Sequence, residues 1–196
     1  LSRIDKNSHL FSHYTYTYSE GVSDGISQGS ICAVVSANNG DLWIGTTNTG
    51  LNYYDASTEK FTHYVHDPND SNSLSDDRIR TLFKDKSGHL WIGTMHGLTW
   101  FRPDTNEFKA FLHEPNNDDS LTGNVIKSFY QDHTGLLWVG SRDGLNTLDP
   151  QTGEITRFVH DPKDPTSLNH NYIFSITEDQ QQRLWIGTAG GLNLFD

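Results

Sequence analysis

The chain has 196 residues, and its 14 Lys plus Arg against 25 Asp plus Glu leave a formal net charge of −11. That length can bury a core in one domain or two small ones, while the acidic balance argues against nucleic acid or an anionic membrane surface as partner, since both need a basic face. Aromatic residues at 12% exclude a disordered chain, no apolar run is long enough to span a bilayer, and the lone Cys32 excludes an internal disulfide or a cysteine metal cage.

From the N-terminus, Leu1-Ser2-Arg3-Ile4-Asp5 has neither an initiator Met nor signal-peptide character, which points to a piece of something longer. Leu1–Asp5 matches Leu51–Asp55 and reads as a strand. The first full unit then brings Leu42-Trp43-Ile44-Gly45-Thr46, followed by Gly50-Leu51. The same phrase returns as Leu90-Trp91-Ile92-Gly93-Thr94 with Gly97-Leu98, as Leu137-Trp138-Val139-Gly140-Ser141 with Gly144-Leu145, and as Leu184-Trp185-Ile186-Gly187-Thr188 with Gly191-Leu192. The tryptophans stand 48, 47 and 47 residues apart. His66-Asp67-Pro68, His113-Glu114-Pro115 and His160-Asp161-Pro162 keep the same register.

Each unit reads as four short strands. In the unit around Trp91 they are Ile79–Lys84, His89–Met95, Leu98–Arg102 and Glu107–Leu112. These runs are β-branched or aromatic and are punctuated by Gly, Asn and Asp. Asp85-Lys86-Ser87-Gly88 and Asp132-His133-Thr134-Gly135 are hairpin turns in which Asp caps and Gly accepts positive φ. Asp149-Pro150-Gln151-Thr152-Gly153 makes a comparable turn further on. No segment carries a sustained 3.6-residue apolar stripe, which argues against helical repeats.

A four-stranded unit of about 47 residues is a β-propeller blade. The expected fold is therefore an all-β propeller with four-stranded antiparallel blades, residues 1–196 forming part of one domain. Blade seams fall near 1–25, 26–74, 75–121, 122–168 and 169–196. Blades stack face on face, so Leu of the repeated phrase should pack one neighbour and Trp the other, with Gly allowing close backbone approach. A closed four-bladed ring would leave one strand redundant; a segment of a larger ring, with about six to eight blades, is preferred.

The phrase Asp-x-x-Gly-x-Leu-Trp-Ile/Val-Gly-Thr/Ser-x-x-Gly-Leu resembles the two-component regulator propeller repeat, over essentially the whole chain. Ala37 departs from it at the turn Asp and Gln182 at the turn Gly; Gln182 suggests a different turn there. The resemblance implies the periplasmic sensor region of a bacterial membrane receptor, whose cytoplasmic output is a histidine kinase or a diguanylate cyclase, and which senses carbohydrate or related nutrients. It further implies a homodimer in the full receptor, with other blades or a second propeller of the same receptor as neighbours.

Residues repeated in every blade read as scaffold. The His66, His113 and His160 series therefore reads as structural rather than as a zinc site, because one His per outer loop cannot converge on an ion. The repeated tryptophans read as core rather than as a sugar platform. No cofactor is expected and no metal; the Asn/Asp-rich loops at Asp67–Asp70 and Asn116–Asp119 lack EF-hand spacing. Function should sit where blades differ, on the rim shared by the second-to-third-strand loops and the approaches to the first strand. Near it, Arg80 and Lys127 align with Cys32 and Phe174. The candidate contacts for a small polar ligand such as an oligosaccharide are Asn48, Arg78, His96, Arg142, Asp143, His170 and Tyr172. No nucleophile elbow or phosphate loop supports catalysis. Two other readings stay open: a polysaccharide-cleaving propeller using Asp76, Asp77 or Asp143, and a protein-interaction platform.

Overall fold

The computed structural model describes residues 13–15, 18–19, 22–23 and 25–195. The strand expected at Leu1–Asp5 lies outside the described residues.

All regular structure is β. After the short pair β1 (Tyr18–Ser19) and β2 (Val22–Ser23), each blade is a meander of neighbouring antiparallel strands. The Trp43 blade is β3 (Ile31–Ser36), β4 (Leu42–Thr46), β5 (Leu51–Asp55) and β6 (Lys60–Tyr64). The Trp91 blade is β7 (Ile79–Lys84), β8 (Leu90–Thr94), β9 (Leu98–Arg102) and β10 (Glu107–Phe111). The Trp138 blade is β11 (Ile126–Gln131), β12 (Leu137–Ser141), β13 (Leu145–Leu148) and β14 (Ile155–Phe158). The Trp185 blade shows β15 (Ile173–Glu178), β16 (Leu184–Thr188) and β17 (Gly191–Phe195). In the Trp91 unit the strand bounds differ from the sequence reading by one residue at most at each end.

First strands lie beside one another, β3 against β7, β7 against β11 and β11 against β15, which places them innermost. Side-chain alternation along the central strands then splits the repeated phrase between two neighbours. Trp91 packs forward with Leu98 onto Ile126, Leu137 and Val139 of the next blade. Leu90 and Ile92, on the opposite face of the same strand, pack backward onto Trp43 and Leu51. Trp138 and Leu145 repeat the forward contact onto Ile173, Leu184 and Ile186. The expected Leu-one-way, Trp-the-other packing is what the structure shows.

The phrase glycine has a specific reason. A Cβ on Gly45 would stand 2.6 Å from Ile79 Cγ2, and one on Gly140 would stand 2.7 Å from Ile173 Cγ2 and 2.3 Å from Ser128 Oγ. Any larger residue would push the next blade's first strand away. The Trp185 blade has no described successor. Its forward face is open, with Trp185 half-buried and Leu192 64% exposed, where the equivalent Leu98 and Leu145 are buried. At the other end Ile31 and Val34 are exposed, 45% and 55%, where Ile79 and Leu82 are covered.

Three polar devices recur in register. The turn carboxylate accepts the indole N–H six residues later: Asp85 from Trp91 at 2.9 Å, Asp132 from Trp138 at 2.8 Å and Asp179 from Trp185 at 2.9 Å. The phrase hydroxyl donates across its own loop: Thr46 to Gly50 O, Thr94 to Gly97 O, Ser141 to Gly144 O and Thr188 to Gly191 O. The His series is structural in geometry, with Nδ1 2.5, 2.7 and 2.6 Å from the carbonyls of Leu74, Leu121 and Leu168.

The two departures behave differently from expectation. Gln182 does not change its turn. It takes the left-handed conformation of Gly88 and Gly135, at φ 63 against 89 and 97, and keeps the same N–H bond to the carbonyl of the turn Asp. The turn that changes is the one after Ala37. Asp85, Asp132 and Asp179 each cap the N–H groups two and four residues on. Ala37 has no carboxylate to do so. The chain instead turns at Asn39 and Gly40, with φ 55 and 90 and Asp41 N–H bonded to Asn38 O, the pattern of a type I′ hairpin.

Candidate functional site

One rim of the arc is built from the β4–β5, β8–β9, β12–β13 and β16–β17 loops and the approaches to β3, β7, β11 and β15. Backbone bonds lock these loops together. Thr47, Met95, Arg142 and Ala189 donate N–H to Ser30, Arg78, Val125 and Tyr172 within their own blades, and Gly50 and Gly97 reach Asp77 and Asn124 of the next. The side chain just after the Gly-Leu pair of the repeated phrase supports the same approach: Asn52 accepts Ser27 N–H, Thr99 accepts Ser75 N–H, Asn146 accepts Thr122 N–H and Asn193 accepts Asn169 N–H. The rim backbone is therefore a fixed frame, and only side chains vary on it.

The seven sequence-predicted residues all lie on this rim, grouped blade by blade. Asn48 leans on Gly29, where a Cβ would fall 2.4 Å from its Oδ1. Arg78 is paired in bidentate fashion with Asp76, Nη2 to Oδ2 at 2.5 Å and Nε to Oδ1 at 2.9 Å. His96 lies within electrostatic reach of that same carboxylate. Burial works to raise the Asp76 pKa, but the Arg78 side chain and backbone N–H outweigh it and hold Asp76 below its ordinary value. His96 also lines a groove of about 500 Å³ beneath the β6–β7 loop, with His66, Asp67 and Leu112. Arg142 and Asp143 are exposed, and Asp143 packs on Gly123. His170 Nδ1 accepts the Tyr172 N–H at 2.9 Å.

The structure adds a second row just inside these loops. Every first strand carries a register shift after its first residue: at Ile31/Ala33, Ile79/Thr81, Ile126/Ser128 and Ile173/Ser175. The residue skipped by the ladder is Cys32, Arg80, Lys127 or Phe174. A bulge frees that side chain from the pleat and re-aims it. Lys127 Nζ sits 5.5 Å from the ring centroid of Tyr172 on the next blade, and Tyr172 lies 4.7 Å from Phe174. A cation over an aromatic pair thus bridges the Trp138 and Trp185 blades. The alignment of Arg80, Lys127, Cys32 and Phe174 was visible in sequence, but a bulge leaves no pattern there, so their grouping with Tyr172 was not.

Cys32 plays another part. Its Sγ donates to Gly45 O at 3.2 Å and to Ile79 O at 3.1 Å, and burial pushes its thiol pKa up. That is a packed thiol tying two blades, not a nucleophile. Two of the three carboxylates considered for catalysis have structural partners, Asp77 Oδ1 accepting His66 N–H and Asp76 holding Arg78, while Asp143 is exposed. In the Asn/Asp-rich loops, Asp67, Asp70 and Asn117 cap their own turns.

Comparison with known proteins agrees with the blade geometry. A family model for the two component regulator propeller matches residues 73–96, 120–143 and 167–190, each running from the approach through the first two strands. Over 71 residues, 36% of this chain, it is 36% identical to "Histidine kinase P4" of Formosa agariphila, of which it spans 5%. Among solved structures, the extracellular domain of a B. thetaiotaomicron protein described as a hybrid two component system superposes with a TM-score of 0.69 at 28% identity. That match covers 87% of this chain and 22% of the other. The virginiamycin B lyase of Staphylococcus aureus shares the fold, with TM-score 0.58 and 14% identity over 85% of this chain and 55% of the lyase. The chain thus spans 5% of the length of that kinase and 22% of the extracellular domain. Three successive blades of this protein carry the repeat of the two component regulator propeller family.

Proposed function

We propose that the chain is the extracytoplasmic, ligand-sensing propeller of a bacterial signal-transduction receptor, and that it binds a small polar ligand, an oligosaccharide in class, on the loop rim. The observation that carries this reading is asymmetry on a symmetric frame. The same backbone bonds repeat in blade after blade, yet the side chains they present differ: Arg80 with Asp76 and Arg78 in one blade, Lys127 with Arg142 and Asp143 in the next, then His170, Tyr172 and Phe174. A stack needs sameness, whereas a recognition surface needs difference. A superposing extracellular domain at 28% identity supports the location, and the family's name supports the signalling role.

Binding would act by favouring one of two receptor geometries, which requires different affinity for the two. Within the polysaccharide-cleaving alternative Asp76 is unsuited to be the general acid, which needs a raised pKa, because Arg78 holds this carboxylate down.

Calorimetry against a panel of oligosaccharides tests the proposal. Binding should appear for a subset and weaken by about tenfold in Arg142→Ala and in Tyr172→Ala. Unchanged affinity in both variants removes the rim assignment. Time-dependent release of sugar fragments would instead make the chain an enzyme.

A further inference from the structure

In a repeated scaffold the exceptions carry information. Three blades satisfy the indole N–H with the turn carboxylate, at 2.8–2.9 Å. The fourth, Trp43, has Ala37 at that position. Trp43 is 4% exposed and packs with Leu51, Ile79 and Phe101; no described residue accepts its N–H, and unlike the sealed, unpartnered indole N–H of Trp100 it is open to solvent. Asp41, the carboxylate in the same turn, is occupied: Oδ2 accepts the Tyr53 hydroxyl at 2.5 Å and Oδ1 accepts Ala56 N–H at 2.9 Å.

Ala37 and Trp43 both face a cleft of about 530 Å³ between the Trp43 and Trp91 blades. It opens on the rim opposite to the one described above, among the first-to-second-strand and third-to-fourth-strand turns. Tyr53 and Tyr64 form one wall, Lys84 and Arg102 the other. Lys84 reaches across to Ala37 O at 3.2 Å and Asn38 Oδ1 at 3.5 Å. Asp104 also lines the cleft and Arg102 pairs with Glu107 at 3.3 Å; beside these the cleft offers an indole N–H, an ammonium and a guanidinium around flat aromatic faces. The volume falls within the usual range for a small-molecule site.

We propose that this cleft is a binding site for a hydroxylated ring carrying a carboxylate, a uronic acid in class, whose carboxylate takes the place of the missing turn Asp. The other blades show what the indole bonds: a carboxylate oxygen. Lys84 and Arg102 offset the ligand's charge, and the two tyrosines cover its ring face. The site is independent of the opposite rim, so either assignment can fall without the other.

Titration of ¹⁵N-labelled chain with glucuronic or galacturonic acid tests it. The Trp43 indole N–H resonance should shift saturably with at least one of the acids, and glucose should leave it in place. Ala37→Asp supplies an internal carboxylate and should abolish the shift without disturbing the fold. Trp43→Phe keeps a ring in the core and should weaken calorimetric binding by about tenfold. Lys163→Ala, exposed in the loop before β15 and away from both rims' candidate contacts, should bind as the parent does. No saturable shift with either acid at millimolar concentration, equal response to glucose, or undiminished binding by Ala37→Asp would each overturn the proposal; the cleft would then hold water on the indole and nothing more.

Discussion

Gln182 illustrates how little a single side chain can change when its frame is set. An L-residue in the left-handed region costs roughly 1 kcal/mol that glycine does not. Gln182 bears that cost at φ 63 because the Asp179 carboxylate and the Trp185 indole hold the turn around it. Gln182→Gly should therefore stabilise the chain by up to about 1 kcal/mol, read from urea or thermal unfolding; a neutral or destabilising result would mean that the turn is not held as described. Gly140 is the opposite case. Its Cβ would meet Ile173 of the next blade and Ser128 of its own. Gly140→Ala should cost about 1–3 kcal/mol, while the same change at Gly88, where nothing lies within 4 Å, should cost only the price of a positive φ.

Two turns between first and second strands, those of Asp132 and Asp179, couple acid to folding. Burial acts to raise the Asp132 pKa, but the Thr134 hydroxyl, the Trp138 indole and two backbone N–H groups prevail and hold it below its ordinary value. The Trp185 indole, ahead of the opposing effect of burial, holds Asp179 down to about 2. A carboxylate whose folded pKa is depressed contributes stability above its unfolded pKa, near 4, and that stability disappears as pH falls through the folded value. Stability should thus fall steeply from pH about 4 toward pH about 2. Asp132→Asn should lower stability at neutral pH and flatten that acid slope. An unaltered slope would show that these turns do not couple protonation to folding.

The molecule as a whole is an arc with two uncovered apolar ends among the described residues. Ile31 and Val34 lie at one, Leu192 and Leu194 at the other, and β17 has an unpaired edge. Each end presents the complement of the other, since every internal seam joins the same two faces. Such head-to-tail contacts do not close on themselves unless the rotation allows it, and open edges template further pairing. The chain made alone should self-associate in a concentration-dependent way in light scattering. Val34→Lys together with Leu192→Lys should reduce that association by placing like charges on both joining faces. A strictly monomeric parent chain would contradict this account of the ends.

Reading the residues alone was enough for the blade, its period and its strand bounds, because those follow from alternation and turn chemistry, which are local. The forward and backward roles of Trp and Leu were legible for the same reason: period-two alternation places them on opposite faces. The rim could be located from loop differences, but not its inner row, since the bulges that re-aim Arg80, Lys127 and Phe174 arise from strands packing side by side around an axis. Nor could the orphaned indole of Trp43 be read from Ala37. Whether an absent carboxylate is replaced depends on what neighbours bring into the gap, and here Asp41 turned to Tyr53 while the next blade brought Lys84 and Arg102. Local pattern sets the elements; which polar group is left without a partner is settled by contacts between residues some 50 positions apart, when the blades close on one another.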